Sequence, residues 1–216
     1  MLNSPDKRLA LQAYEAILKL IEDGDARPGD LVTERRLADR LSMSRTPVRD
    51  ALLMLEGEGL LIRQGSRGLQ VKQMRIEEYM DALQIRLLLE PPVARMAAGK
   101  VPQAEIDALR AELEALLAAG QGQADRAVVR DLDENLHGGL ARAVGNPQLA
   151  HIIQTVRRQT QMFDLRAMPE RLEDTCREHL KVLAAIEAGD GAAAEAAMAE
   201  HLGCVQDSII KRLTRR

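Results

Sequence analysis

The chain has 216 residues, 46% of them hydrophobic but only 1% aromatic, with no Trp, two Tyr and one Phe. Its core must therefore be built from Leu, Ala, Ile, Val and Met, which mostly favour helix. The absence of any run of 18 apolar residues, an N-terminus (MLNSPDKRLA) without an apolar stretch, and only two cysteines, Cys176 and Cys204, argue against a membrane span, a signal peptide and a disulfide framework, and predict a cytoplasmic protein. The net charge of −3 is divided unevenly: residues 1–75 hold 13 basic and 11 acidic side chains, residues 76–216 hold 17 and 22. So weak a basic balance disfavours a nucleoid-type architectural protein. Any DNA-reading role must be argued from where the arginines stand.

Leu9, Ala13, Ile17, Leu20 and Ile21 recur at helical spacing and predict a helix from about Pro5 to Asp23, ended by Gly24 and Pro28-Gly29. Thr33 is a good N-cap for a short helix that buries Leu37, Ala38 and Leu41. Ser42-Met43-Ser44 makes a tight connection, and Ser44 is expected to cap a third helix over about Arg45–Glu58. Pro47 falls in its first turn, where a missing N–H costs nothing. Val48, Ala51, Leu52 and Leu55 form its apolar face, and Arg45, Thr46 and Arg49 lie on the opposite side. Arg45 and Arg49 are one turn apart and point the same way. Leu60–Arg63 and Leu69–Val71, around Gly65-Ser66-Arg67-Gly68, read as a hairpin of two short strands.

Helix, helix, tight turn, helix, hairpin is the order of a winged helix-turn-helix. In such a unit the N-terminal residues of the recognition helix meet base edges in the major groove. Arginine can bond guanine there in bidentate fashion, a role open to Arg45 and Arg49. Arg35 can hold a phosphate, and Arg67 at the hairpin tip can reach the minor groove. Residues 28–71, PGDLVTERRLADRLSMSRTPVRDALLMLEGEGLLIRQGSRGLQV, resemble the DNA-binding domain of the GntR family of bacterial regulators. That resemblance implies DNA contacts by Arg35, Arg45, Thr46, Arg49 and the wing tip.

From about Ile76 the pattern is helical to the end, and predicts six helices in an antiparallel bundle. They span about Ile76–Ala98, with Pro91-Pro92 inside as a kink, Gln103–Ala119, Ala124–Val144, from Pro147 to about Arg166, Pro169–Ala188, and Asp190 to about Arg212. Gly189 is a natural C′ residue and Asp190 a natural N-cap. The expected fold is thus mainly α: a winged helix-turn-helix over residues 1–75 and a helical domain over 76–216.

The chain has four histidines, His137, His151, His179 and His201. Asp133 and His137 are spaced i, i+4 and share a helix face. His179 and His201 lie equally far on either side of the turn at Asp190, so an antiparallel hairpin sets them side by side. If the helix that carries Asp133 and His137 packs against that pair, Asp133, His137, His179 and His201 converge as an N/O set suited to Zn²⁺, Ni²⁺ or Mn²⁺; otherwise they are unrelated polar residues of a helical bundle. Cys176 and Cys204 are also equidistant from that turn, so a Cys₂His₂ zinc site competes. Two small apolar cysteines packed in a hairpin are the commoner arrangement. Glu134, Glu178 and Glu200, adjacent to the ligands, are expected to point away, leaving an alternative metal-dependent enzyme without an evident general base. His151 is expected at the surface, and Asn146 as a turn residue.

DENLH, REHLKVLAAIEAGD, AMAEHL and QIRLLLEPPVARMAA resemble the FCD sensor domain of one GntR subfamily. Leu136, where an aromatic is usual, and the second proline, Pro92, depart from it. The resemblance implies that the four positions bind a metal and leave coordination sites open for a small carboxylate effector. Arg86 would pair with the acid if it faces the cavity; a surface position is equally compatible with the sequence. The expected function is effector-controlled binding of a homodimer to a DNA operator.

Overall fold

In the computed structural model of the chain, residues 5–120, 126–162 and 171–214 are described. They divide into two compact units: one holds the chain up to Ile76 together with the end of the seventh helix from Arg158, the other holds the rest. Among the described residues no helix is long and apolar enough to cross a membrane.

The first unit runs α1 (Pro5–Glu22), β1 (Leu31–Val32), α2 (Glu34–Leu41), α3 (Arg45–Gly57), β2 (Leu61–Arg63) and β3 (Leu69–Val71), with a 3-10 turn, Gly65–Arg67, at the tip of the β2–β3 hairpin. The helices form where the apolar period demands. Ala13, Ile17 and Ile21 of α1 and Val48, Ala51, Leu52 and Leu55 of α3 are all buried in one core with Leu60, Leu61, Leu69 and Val71. Thr33 caps α2, its Oγ1 accepting from the Arg36 N–H at 3.4 Å. Ser42 (φ 53°) ends α2 in the left-handed region, a conformation that turns the chain within one residue. Ser44 has the extended backbone of a cap but makes no side-chain cap bond, contrary to its expected role. The sheet also exceeds the expected hairpin: β1 joins it in the order β1-β3-β2, all antiparallel, with Leu31 opposite Gln70 and Leu61 opposite Val71.

The second unit holds α4 (Ile76–Ala97) from Glu77, α5 (Gln103–Ala119), α6 (Arg126–Ala143), α7 (Pro147–Met162) as far as Arg157, α8 (Leu172–Glu187) and α9 (Gly191–Thr214). The predicted extension of α7 to Arg166 and the start of α8 at Pro169 lie outside the described residues. α4 continues as one helix through Pro91 and Pro92. α8 and α9 form a tight hairpin: Gly189 takes φ 68°, which a Cβ would disfavour, and Asp190 Oδ1 accepts from the Ala193 N–H at 2.9 Å. Val182, Leu183 and Ile186 of α8 and Ala194, Ala197, Met198 and Leu202 of α9 fill the interior, with Leu132, Leu136 and Leu140 of α6 buried in the same unit. Asn146 does more than turn the chain: its Oδ1 accepts from the Leu149 N–H at the start of α7.

Candidate functional site

In the first unit the structure places Arg35 in the first turn of α2 and Arg45, Thr46 and Arg49 in the first two turns of α3, all exposed, while the intervening Pro47 and Val48 are buried. Arg45 and Arg49 thus share an exposed side one turn apart. Arg67 is exposed in the turn at the wing tip. Arg63 on β2, by contrast, is held by Glu56 through two hydrogen bonds.

In the second unit the period that buries one stripe of α6, α8 and α9 also buries three imidazoles. His137, His179 and His201 are each 2% exposed. His179 Nε2 stands 3.4 Å from His137 Nε2 and 3.3 Å from His201 Nε2. Asp133 Oδ1 is 3.6 Å from His137 Nε2 and 3.7 Å from His179 Nε2. One donor atom from each of the four residues lies within 4.8 Å of all the others. The expected convergence of Asp133, His137, His179 and His201 is therefore present. Cys176 and Cys204 are free thiols, and neither belongs to this group among the described residues. His151 is exposed.

Around these four residues lies a layer of charged partners. His137 Nδ1 is bonded to Glu90 Oε2 of α4, and Arg86 Nε donates to Glu90 Oε1 at 2.5 Å. His201 Nδ1 stands 2.8 Å from Glu178 Oε2, and Arg171 grips both oxygens of Glu178 at 2.9 and 2.7 Å. Arg157 of α7, fully buried, donates to Asp133 Oδ2 at 2.8 Å, to the Asp133 carbonyl at 3.0 Å and to Glu134 Oε2 at 3.2 Å. Glu134 folds back over Gly138, where a Cβ would come within 2.5 Å of Glu134 Oε1.

One expectation needs correction here: Glu178 does not point away from the site, since its Oε2 stands 2.8 Å from His201 Nδ1 across the hairpin. Glu134 meets Arg157 and none of the four converging residues. Glu200 does lie outside, exposed and paired with Lys181. Arg86 is no surface residue; it is 8% exposed and engaged with Glu90.

Burial and local charge favour the neutral form of His137 and His179 and the ionised form of Asp133 and Glu90. Burial pushes the His137 imidazole down to about 4, helped by Arg157 and opposed by Glu90 and Asp133. Burial, with the two neighbouring rings, holds His179 well below the usual imidazole range. Burial acts to raise Asp133 and Glu90, but adjacent positive charge prevails and holds both well below the carboxylate range: chiefly Arg157 for Asp133 and Arg86 for Glu90. Neutral imidazoles and ionised carboxylates are the protonation states that metal ligation requires.

The donor set fits an ion. Where Glu90 and Glu178 accept Nδ1–H bonds from His137 and His201, both rings present an Nε2 lone pair to His179 Nε2. A single N–H on His179 can satisfy only one of them, so an electron-rich N···N contact remains unless a cation sits between. Four of the six donor pairs stand 3.3–3.7 Å apart and all lie within 4.8 Å, so the four residues could share one ion.

The FCD domain family matches residues 81–203, and the family of bacterial regulatory proteins, gntR family, matches residues 9–71. The chain is 31% identical to the HTH-type transcriptional regulator LutR of Bacillus subtilis, over 87% of this chain and 95% of LutR. It is 30% identical to the HTH-type transcriptional repressor RspR of Escherichia coli, over 95% and 91% of the two chains. Its fold is similar to that of E. coli McbR/YncC, with a TM-score of 0.81 at 23% identity over 95% of this chain and 99% of the other. Relatives that match along nearly their whole length are named as transcription regulators, which sets aside the metal-dependent enzyme alternative. With both domain families in this order, the chain belongs to the GntR family of bacterial transcription regulators, in the subfamily whose second domain is FCD.

Proposed function

We propose that this DNA-binding regulator has its operator affinity set by a small organic acid bound at a divalent transition-metal centre, with Asp133, His137, His179 and His201 as the ligands. The observation that carries the reading is the convergence of three buried Nε2 atoms and one carboxylate oxygen. Zn²⁺, Ni²⁺ and Mn²⁺ all suit the set. A bound ion supplies a Lewis-acidic anchor for a carboxylate. Around it Arg86 and Arg157 face Glu90, Asp133 and Glu134, leaving one negative charge when the rings are neutral. A divalent ion makes this centre net positive, and an acid's carboxylate restores the balance. Arg86, already inside, adds positive charge on the α4 side for that carboxylate.

DNA reading is assigned to residues 1–75, with Arg45, Thr46 and Arg49 at base edges, Arg35 on phosphate and Arg67 in the minor groove. Sensing and dimerisation are assigned to residues 76–216. A two-fold dimer fits a pseudo-palindromic operator, one winged helix to each half-site.

Native mass spectrometry of the purified protein reports dimer, metal and retained acid together. Operator binding by fluorescence anisotropy, with metal-loaded protein and a panel of small mono- and dicarboxylates, then tests control. At least one acid should change operator affinity several-fold, and that response should vanish in metal-stripped protein. Affinity indifferent both to every acid and to metal removal would overturn the reading.

A further inference from the structure

The metal ligands differ in what lies behind them. His137 and His201 each back onto a carboxylate, and each carboxylate is pinned by an arginine: Arg86–Glu90–His137 on one side, Arg171–Glu178–His201 on the other. The two relays have no sequence relationship. Glu90 reaches His137 across 47 positions and Glu178 reaches His201 across 23. Both end on the same ring atom, Nδ1.

We propose that Glu90 and Glu178 are positioning residues of the metal centre: each accepts the Nδ1 proton of one imidazole, and so fixes that ring in the tautomer whose Nε2 lone pair faces the common point. The inference rests on the metal reading above and deepens it. A neutral imidazole has one N–H and one lone pair, and the partner of one nitrogen decides which atom carries which. An ionised carboxylate can only accept, so the proton must sit on Nδ1 and Nε2 must be the donor to the ion. The arginines hold the carboxylates in turn. Arg86 Nε occupies Glu90 Oε1 and leaves Oε2 to His137. Arg171 spans both oxygens of Glu178 and is itself tied to the Cys204 carbonyl and Ser208 Oγ of α9, each at 3.0 Å. The second relay therefore braces α8 against α9 on the helix that supplies His201.

A purely structural ion pair would hold the helices without setting the tautomer, and the two roles separate by experiment. Glu90 is fully buried, so Glu90→Gln risks the fold; Glu178 is partly exposed, and Glu178→Gln is the decisive variant. Nitrogen-15 NMR of metal-free, histidine-labelled protein should show His137 and His201 as Nδ1–H tautomers in the wild type. His201 should lose that preference in Glu178→Gln while His137 keeps it. Zn²⁺ affinity, by competition with a chromogenic chelator, should fall about 10–100-fold in Glu178→Gln and stay unchanged in Glu200→Gln, whose carboxylate lies outside on the same hairpin. An Nε2–H tautomer for His201 in wild-type protein, or equal Zn²⁺ affinity in Glu178→Gln and wild type, would overturn the proposal and leave the metal reading standing. Wild-type protein that takes up none of Zn²⁺, Ni²⁺ and Mn²⁺ would overturn both.

Discussion

Arg157 donates to Asp133 Oδ2 at 2.8 Å, and the other oxygen of that carboxylate, Oδ1, is the one that faces His137 and His179. The guanidinium thus divides the carboxylate into one oxygen held by the protein and one turned to the site. Arg157 is wholly buried, but its partners Asp133 and Glu134 retain side-chain exposures of 28% and 29%. Removing the cation strands two carboxylates that water reaches only in part.

Arg157→Met should therefore destabilise metal-free protein by about 3 kcal/mol, the lower end for breaking a buried pair because the carboxylates are partly solvated. In Zn²⁺-loaded protein the loss should be smaller, since the ion offsets the charge on Asp133. Urea unfolding with and without Zn²⁺ measures both numbers. An equal loss in the two states would show that Arg157 acts on the helices alone.

For DNA reading, the arginines sort by what already holds them. Arg45 and Arg49 stand exposed in the first two turns of α3, Arg49 with only a loose 3.9 Å ion pair to Asp50, whereas Arg63 is clasped by Glu56 through two hydrogen bonds. Arg45→Ala and Arg49→Ala should each weaken specific operator binding by about 1–3 kcal/mol with unfolding midpoints unchanged. Arg63→Ala should cost binding much less. Anisotropy titrations at fixed salt give the comparison, and wild-type operator affinity in both α3 variants would move the recognition surface elsewhere.

Most of the fold was legible because helical periodicity is a strong signal: α5 was expected over the same residues it occupies, and α2 and its Thr33 cap follow from the pattern LVTERRLADRL. β1 was not, since two residues, Leu31 and Val32, are too few to show alternation. The four-residue cluster could be read because Asp133 and His137 share one helix face, His179 and His201 flank one turn symmetrically, and the motifs around them resemble the FCD domain. Glu90 could not, since nothing local ties it to a ring 47 positions away. Glu178 departs from the expectation for a geometric reason. It does diverge from its neighbour His179, but the hairpin lays α9 alongside, so turning away from one ring brings it to the next.

The two expected N-caps give a stability test of the same lesson. Thr33 makes its cap bond, a long one, and Ser44 makes none. Thr33→Ala should cost about 0.5–1 kcal/mol, and Ser44→Ala less than about 0.5 kcal/mol. Chemical denaturation of the two variants decides; the larger loss at Ser44 would mean that its hydroxyl caps α3 in solution.

Metal content discriminates between the ligand set and the cysteines. His179 is the ring in contact with both other imidazoles, so His179→Ala should abolish stoichiometric metal. Asp133→Ala should weaken binding strongly without abolishing the histidine cluster. Cys176→Ser with Cys204→Ser should leave the metal in place, because neither thiol joins the converging atoms. Elemental analysis after refilling with Zn²⁺, Ni²⁺ and Mn²⁺ in turn reads all three variants. Stability follows by mass action: an ion bound only to the native state adds about 2.7 kcal/mol at a free concentration 100 times its Kd. Chelation should accordingly lower the Tm of the wild type and of the double cysteine variant, and should leave the Tm of His179→Ala where it is. Loss of metal on replacing the cysteines, with full retention in Asp133→Ala, would instead assign the ion to a Cys₂His₂ site between α8 and α9.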